Sequence, residues 1–437
     1  MNALPEFSVF RKLYRPGSTI PIRLEVRADT ETPVSAFLKL AHGEKHAFLF
    51  ESVEGGEHQA RWSFLGVRPR RVLSWRLGDS TDPMAWIASH LERARGIRID
   101  GTPRFAGGLV GYISYDAVRL FEPRVPLENP DELGFPDVLM MDFDTVLAFD
   151  NVRHTVQVIA EAVCAEHVKP AAAYETALRR IRRVLRVLHR PLAARQPSSL
   201  ARAPTQLKAR VSRGRFEAAV RRARDYIRAG DCQQIVISQR FDANTTLPPF
   251  ELYRALRRVN PSPYLFFLQA GANSLIGSSP ETLVRLEEGE VTVRPIAGTR
   301  PRGQTPVEDA KLEAQLRADP KENAEHVMLV DLGRNDVGRV AEVGTVRVDV
   351  LKTVERYSHV MHLVSQVRGR IAKGMNALDV LRAAFPAGTV TGSPKVRAME
   401  IIDALEPARR GPYAGAVGYF DRYGNMEMCI VIRTLLQ

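Results

Sequence analysis

The stretch Tyr264–Arg294, YLFFLQAGANSLIGSSPETLVRLEEGEVTVR, decides the fold class. It opens on the apolar, aromatic run Tyr264–Leu268 and closes on Glu290–Arg294, and both read as β-strands. Similar runs occur at Gln234–Gln239, Val346–Val350 and Met428–Leu435, with helices expected to begin near Pro306, Pro320, Asn376 and Pro394. Strands and helices do not alternate regularly. That argues for an α+β fold, with large, mainly antiparallel sheets forming a two-layer sandwich and helices on the outside, over a doubly wound parallel sheet.

Working outward, His46–Phe50 and Thr155–Ile159 read as strands and Pro33–Leu40 as a helix. The glycine-rich run Gly107–Tyr115, GGLVGYISY, reads as a strand whose glycines let backbones pack closely. Arg215–Ala229 carries Phe216, Ala219, Ala223 and Ile227 as a helical stripe, with Gly230 as its stop. A seam runs from Pro191 to Pro204, PLAARQPSSLARAP, where apolar periodicity gives way to Pro, Ser and Ala. The expected organisation is an N-terminal half over 1–190, a linker over 191–205 and a C-terminal half over 206–437.

With 437 residues, 45% hydrophobic and 26% charged, the chain is long enough for a sizeable core and has an ordinary globular composition. No apolar run is long enough to span a bilayer and no signal sequence opens the chain, so a cytoplasmic protein is expected. Cys164, Cys232 and Cys429 are widely spaced, which fits buried inert thiols in a reducing compartment. The formal charge of +12 suits anionic ligands. Its densest run, RRIRRVLRVLHR over Arg179–Arg190, reads as the solvated face of a helix; no nucleic-acid or membrane partner is expected.

Four segments carry chemistry. In Arg294–Gly303, RPIAGTRPRG, Gly298, Thr299, Arg300 and Arg302 form either an anion cradle or a capped surface turn. Asp319 N-caps a helix in which Glu322 and Glu325 share a face, as magnesium ligands or as plain solvated charge. In Tyr357–Ser365, YSHVMHLVS, His359 and His362 point to opposite faces of the inferred strand, which argues against a shared metal. One of them acts as a lone acid or base, or both are structural. In Gly388–Lys395, GTVTGSPK, Ser393 is expected to N-cap the next helix, either to receive a carboxylate or as an ordinary cap.

The order and wording of these blocks resemble the chorismate-utilising family of anthranilate, aminodeoxychorismate, isochorismate and salicylate synthases. The matching blocks are GSSPE from Gly277, PIAGTRPRG from Pro295, AEHVMLVDLGRND from Ala324, YSHVMHLVS, FPAGTVTGSPKVRAMEII from Phe385 and YAGAVGYF from Tyr413. Upstream, TPVSAFLKL from Thr32, FLFES from Phe48 and RWSFLG from Arg61 resemble the tryptophan-sensing half of anthranilate synthase large subunits. Gln234 stands where water-using relatives carry an activating lysine, and an amide is no general base. Ala297 stands where many aminodeoxychorismate synthases carry a nucleophilic lysine.

The resemblance therefore implies attack of ammonia at C2 of chorismate, loss of the C4 hydroxyl, then elimination of pyruvate to give anthranilate in tryptophan biosynthesis. It assigns Glu281 as the acid with a raised pKa, His359 as the residue assisting elimination and Thr389 as a further polar contact. Gly298, Thr299, Tyr413 and Arg433 would hold chorismate, and Glu325 would ligate Mg2+. Ser52, Pro263, Tyr264 and Leu265 would receive L-tryptophan as feedback inhibitor. Ammonia would come from solution or from a partner glutamine amidotransferase subunit. The family's glycine-rich loop, second magnesium glutamate and substrate lysine are not found before Gln437, so the C-terminal half is expected to be a truncated form. The alternatives are an aminodeoxychorismate synthase component I of the folate branch, or an inactive tryptophan-binding or subunit-interaction protein.

Overall fold

The computed structural model describes residues 3–52, 61–92, 95–126, 128–192, 206–357 and 359–437. Two large sheets stack face to face. One has nine strands and the other ten, and among the described residues only the pairing of Ser18–Arg27 with Arg95–Gly96 is parallel. The inter-sheet core contains Phe48, Phe64, Phe266 and Leu268 from one sheet and Tyr112, Leu139, Met141 and Tyr419 from the other. Outside the nine-stranded sheet lie the helices Phe7–Leu13, Pro33–Leu40, Pro170–Leu188 and Pro249–Val259. Outside its ten-stranded partner lie Pro83–Glu92, Pro320–Gly338, Ala377–Ala384 and Lys395–Leu405. This is the expected sandwich with helices outside.

Sequence dictates much of this locally. Gly108–Ile113, Val138–Phe143 and Ala416–Asp421 are buried at every position, as strands covered on both faces must be. A side chain at Gly111 would collide with the Leu139 carbonyl of the adjacent strand, so the glycine-rich strand packs backbone against backbone as anticipated. Helix Pro170–Leu188 buries Ala173, Tyr174, Ala177, Ile181, Val184 and Leu188 and leaves Arg179, Arg182, Arg183 and Arg186 in solvent. Helix Arg213–Arg228 is followed by Gly230 at φ +87°, the expected stop. No helix among the described residues is long and apolar enough to cross a membrane.

Strands from before and after residue 206 share both sheets. His46–Glu51 pairs with Tyr264–Ala270, and Gly108–Ile113 pairs with Ala416–Asp421. From 193 to 205, the expected linker lies outside the described residues.

Three local expectations are corrected. The run Gln234–Gln239 is strand only at Gln234–Ile235, because its partner Gly392–Ser393 is itself two residues long. Ser393 is used in that pairing, and Pro394 occupies the cap of helix Lys395–Leu405 without a side-chain bond. Met428–Leu435 is not one strand. Met426–Ile430 belongs to the ten-stranded sheet, Arg433 turns the chain at φ +51°, and Thr434–Leu436 joins the nine-stranded sheet beside Asn273–Ser279.

Candidate active site

The site begins at an irregularity in the pairing of Ile296–Pro301 with Val360–Arg370. The register shifts between Ala297 and Thr299, and Gly298 takes up the shift at φ +70°. A side chain there would press on Leu316 and Glu322. The bulge aims the Gly298 carbonyl at His362 Nδ1, 3.0 Å away, and Thr299 Oγ1 stands 3.1 Å from the same nitrogen. His362 is 8% exposed, and burial holds its pKa below the usual histidine range, with Arg433 acting in the same direction. The ring is therefore neutral near pH 7. With Nδ1–H donating to Gly298, Nε2 is the nitrogen available for proton transfer.

His359 lies before the strand, exposed, and contributes only its carbonyl to the Arg302 amide at 3.1 Å. His359, expected as the acid or base, thus stands outside this hydrogen-bonded cluster, and His362 stands within it. Both histidines stand in the same sequence block, and no local pattern separates them; the pairing of Thr299 with His362 does.

Glu281 sits where the chain leaves strand Asn273–Ser279 of one sheet and enters Thr282–Glu287 of the other. Its carbonyl accepts the Ile430 amide at 3.1 Å. Burial raises its carboxyl pKa to about 8, although the Thr389 hydroxyl and the Arg433 guanidinium both favour the charged form. Thr389 Oγ1 is itself buried and has no other partner among the described residues. Arg433 is exposed, and among the described residues it has no ion-pair partner within 4.0 Å. Its charge acts on both Glu281 and His362, lowering the pKa of each. Tyr413 is half-buried beside this segment, held there by the Ala414 amide bond to Val431 (2.9 Å).

The arginines of the expected anion cradle are already engaged. Arg302 forms a fork on Asp309 with both distances 2.9 Å, and Arg300 bridges Asp319 (2.7 Å) and Glu322 (3.3 Å). This separates the two helix carboxylates: Glu322 is taken by Arg300, whereas among the described residues Glu325 accepts only the Gln234 amide at 3.2 Å. The other end of that amide, Gln234 Oε1, is buried and unpaired. No group of three or more His, Cys, Asp or Glu suited to a metal occurs among the described residues.

Sequence reasoning missed the groups that brace the site. Lys395, half-buried with its side chain 11% exposed, donates to both Asp336 oxygens (3.1 and 2.9 Å) and to the Ala384 carbonyl (3.0 Å), which ties the 388–394 loop to helix Pro320–Gly338. From the N-terminal half, buried Asp116 accepts the Gly411 amide at 2.7 Å, and burial raises its pKa to about 7. Neither pair carries a local signature, since each joins residues far apart in the chain.

Ser52, Pro263, Tyr264 and Leu265 come together around a partly open pocket, also lined by Trp62 and Tyr419. Buried Glu427 organises its polar wall. It accepts from Tyr264 (3.1 Å) and Tyr419 (3.0 Å) and pairs with Arg104 at 3.2 Å. Burial works to raise its pKa, but Arg104, Arg285 and the tyrosyl hydroxyls outweigh it, so Glu427 stays ionised.

The profile of the chorismate binding enzyme family matches residues 45–437. Anthranilate synthase component 1 of Pseudomonas putida is 46% identical over 433 residues, covering 95% of this chain and 87% of that protein. The protein of the same name from Thermus thermophilus is 46% identical over 425 residues, covering 95% and 89%. Among solved structures, anthranilate synthase component I from Streptococcus pneumoniae superposes with a TM-score of 0.78 at 35% identity, covering 94% of this chain and 91% of that one. The menaquinone-specific isochorismate synthase of Escherichia coli shares the fold, with a TM-score of 0.70 at 16% identity and coverage of 97% and 86%.

Proposed function

The chain belongs to the chorismate binding enzyme family, and from that membership we propose that it acts as component I of an anthranilate synthase, a lyase converting chorismate and ammonia to anthranilate and pyruvate. One observation carries the reading to this site: Glu281, an acid that stays protonated at neutral pH, stands with His362 around the unpaired Arg433.

Arg433 pairs a chorismate carboxylate, and the Thr299 hydroxyl and Tyr413 orient the ring. As ammonia forms its bond to C2, both ring double bonds shift, from C1=C2 to C1=C6 and from C5=C6 to C4=C5, and the C4–O bond breaks. Glu281 gives its proton to the departing hydroxyl, which leaves as water. Aromatisation then removes the proton at C2 and breaks the C3–O bond, while the enolpyruvyl methylene carbon gains a proton to become pyruvate. His362 Nε2 handles a proton in this second stage. Gln234 offers no base to activate water, and Ala297 offers no amine to form a covalent intermediate.

A magnesium ion fits the residues present. Glu325 has no Lys or Arg partner among the described residues and accepts an amide hydrogen bond from Gln234, so its carboxylate would be the protein ligand of a site completed by substrate and water. When bound there, the ion supplies charge neutralisation for the ring carboxylate. Ammonia comes from solution or from a glutamine amidotransferase subunit, the cavity at Ser52 and Tyr264 takes L-tryptophan as feedback inhibitor, and the enzyme works in the cytoplasm on the tryptophan pathway.

The test is anthranilate fluorescence from chorismate with ammonium and magnesium. No product at high enzyme concentration sinks the reading, and aminodeoxychorismate or isochorismate as end product reassigns the reaction.

A further inference from the structure

Arg410 is 5% exposed, and four of its hydrogen bonds are directed to three separate segments. Nε and Nη2 donate to Glu406 at 2.9 and 2.6 Å, Nη1 to the Val390 carbonyl at 2.6 Å, and Nη2 also to the Val236 carbonyl at 2.7 Å. Its plane lies near two aromatic rings, with Cζ 4.7 Å from the Tyr115 centroid and 5.6 Å from that of Tyr413. Glu406 extends the network by accepting the Ser238 amide at 2.7 Å. Val390 follows Thr389, and Val236 lies just beyond Gln234.

We propose that Arg410 is the positioning residue of this site: one guanidinium sets the Tyr413 ring, the Thr389 loop and the Gln234 segment at fixed distances from one another. With its donors engaged inside the protein, it acts through these neighbours and not on substrate. Only a planar fork spans this arrangement, because an ammonium group presents its donors from a single point and cannot reach two carbonyls and a carboxylate in one plane. Burying such a pair is a poor route to stability, since apolar replacements of equal volume are often as stable. Its distinctive contribution is geometry. The inference rests on reading Tyr413 and Thr389 as chorismate contacts.

The experiment compares wild type, Arg410→Lys and Arg410→Ala by steady-state kinetics, chorismate calorimetry and thermal melts. Arg422→Lys is the control: Arg422 is also buried, but it is bound to Asp142 and Glu161 beyond the opposite end of strand Met426–Ile430 from the Glu281 contact. Arg410→Lys should remain folded and lose about 10²-fold in kcat/KM, mainly through a higher KM and weaker chorismate binding, as misplacement of about an ångström does. Ethylguanidinium, but not methylammonium, should recover at least about tenfold of the loss in Arg410→Ala. The control should melt lower with its KM unchanged.

An Arg410→Lys protein with wild-type KM and chorismate affinity, beside an active wild type, overturns the proposal and leaves the proposed function standing. So does loss of activity in Arg410→Ala that only follows the unfolded fraction and ignores ethylguanidinium. A wild type that neither binds chorismate nor turns it over overturns both.

Discussion

The Tyr264 hydroxyl lies 2.7 Å from Thr282 Oγ1, and Thr282 is the residue directly after Glu281. A wall of the Ser52 cavity is thereby joined to the proposed acid through one hydrogen bond and one peptide link. The same Tyr264 hydroxyl also reaches Glu427, so it is held from both sides.

Tyr264→Phe should therefore weaken tryptophan inhibition more than it weakens catalysis. Loss of a buried hydrogen bond with its partners left in place costs about 1–3 kcal/mol, which is about 5- to 150-fold if it is expressed in full in the inhibition constant. Inhibition curves at fixed chorismate measure this; an unchanged inhibition constant would separate the cavity from regulation.

Glu281→Gln should lower kcat by about 10²–10⁴-fold, the usual contribution of a general acid. In the wild type the rate should fall as pH rises through about 8, where the carboxyl ionises. Stability gives an independent readout. The folded pKa lies above the unfolded value of 4.5, so the stabilising effect of binding this proton is complete below pH 4.5 and is lost as pH rises through about 8. Glu281→Gln should then gain in melting temperature relative to wild type across that interval. A difference between the two proteins that does not vary with pH would contradict the raised pKa.

His362→Ala and His359→Ala should part company. The first removes a buried ring fixed by Gly298 and should cost about 10²–10⁴-fold in kcat; the second removes an exposed side chain and should stay within about threefold of wild type. Equal effects would return His359 to the site.

Lys395→Met leaves Asp336 buried and unpaired, and should cost about 3–5 kcal/mol in urea unfolding. Lys395→Met combined with Asp336→Leu should recover most of that loss, because both charges are then gone. If the double variant is no more stable than the single one, the pair is not the source of the effect.

Local pattern carried the sandwich, the outer helices and the caps at Asp319 and Asn376, because each depends on residues within a turn or two of one another. It also singled out Glu281 and Glu325, which lie in the blocks GSSPE and AEHVMLVDLGRND. It failed wherever one position had to be chosen within a block. His359 and His362 differ only through the Gly298 bulge on a neighbouring strand, and Arg300 and Arg302 look free until Asp319, Glu322 and Asp309 fold back on them.

The amino-acid sequence by itself determined the class of fold and which segments carry the chemistry, since periodicity, capping and turn residues act over short stretches of chain. The tertiary structure alone decided which histidine faces Glu281's neighbour Arg433, which carboxylate stays free beside Gln234, and that Arg410 binds three segments at once. Those outcomes depend on strand register and on burial among residues distant in sequence. Register moves a side chain from one face to the other with a shift of one residue, and burial sets its charge, so neither can be read from nearest neighbours.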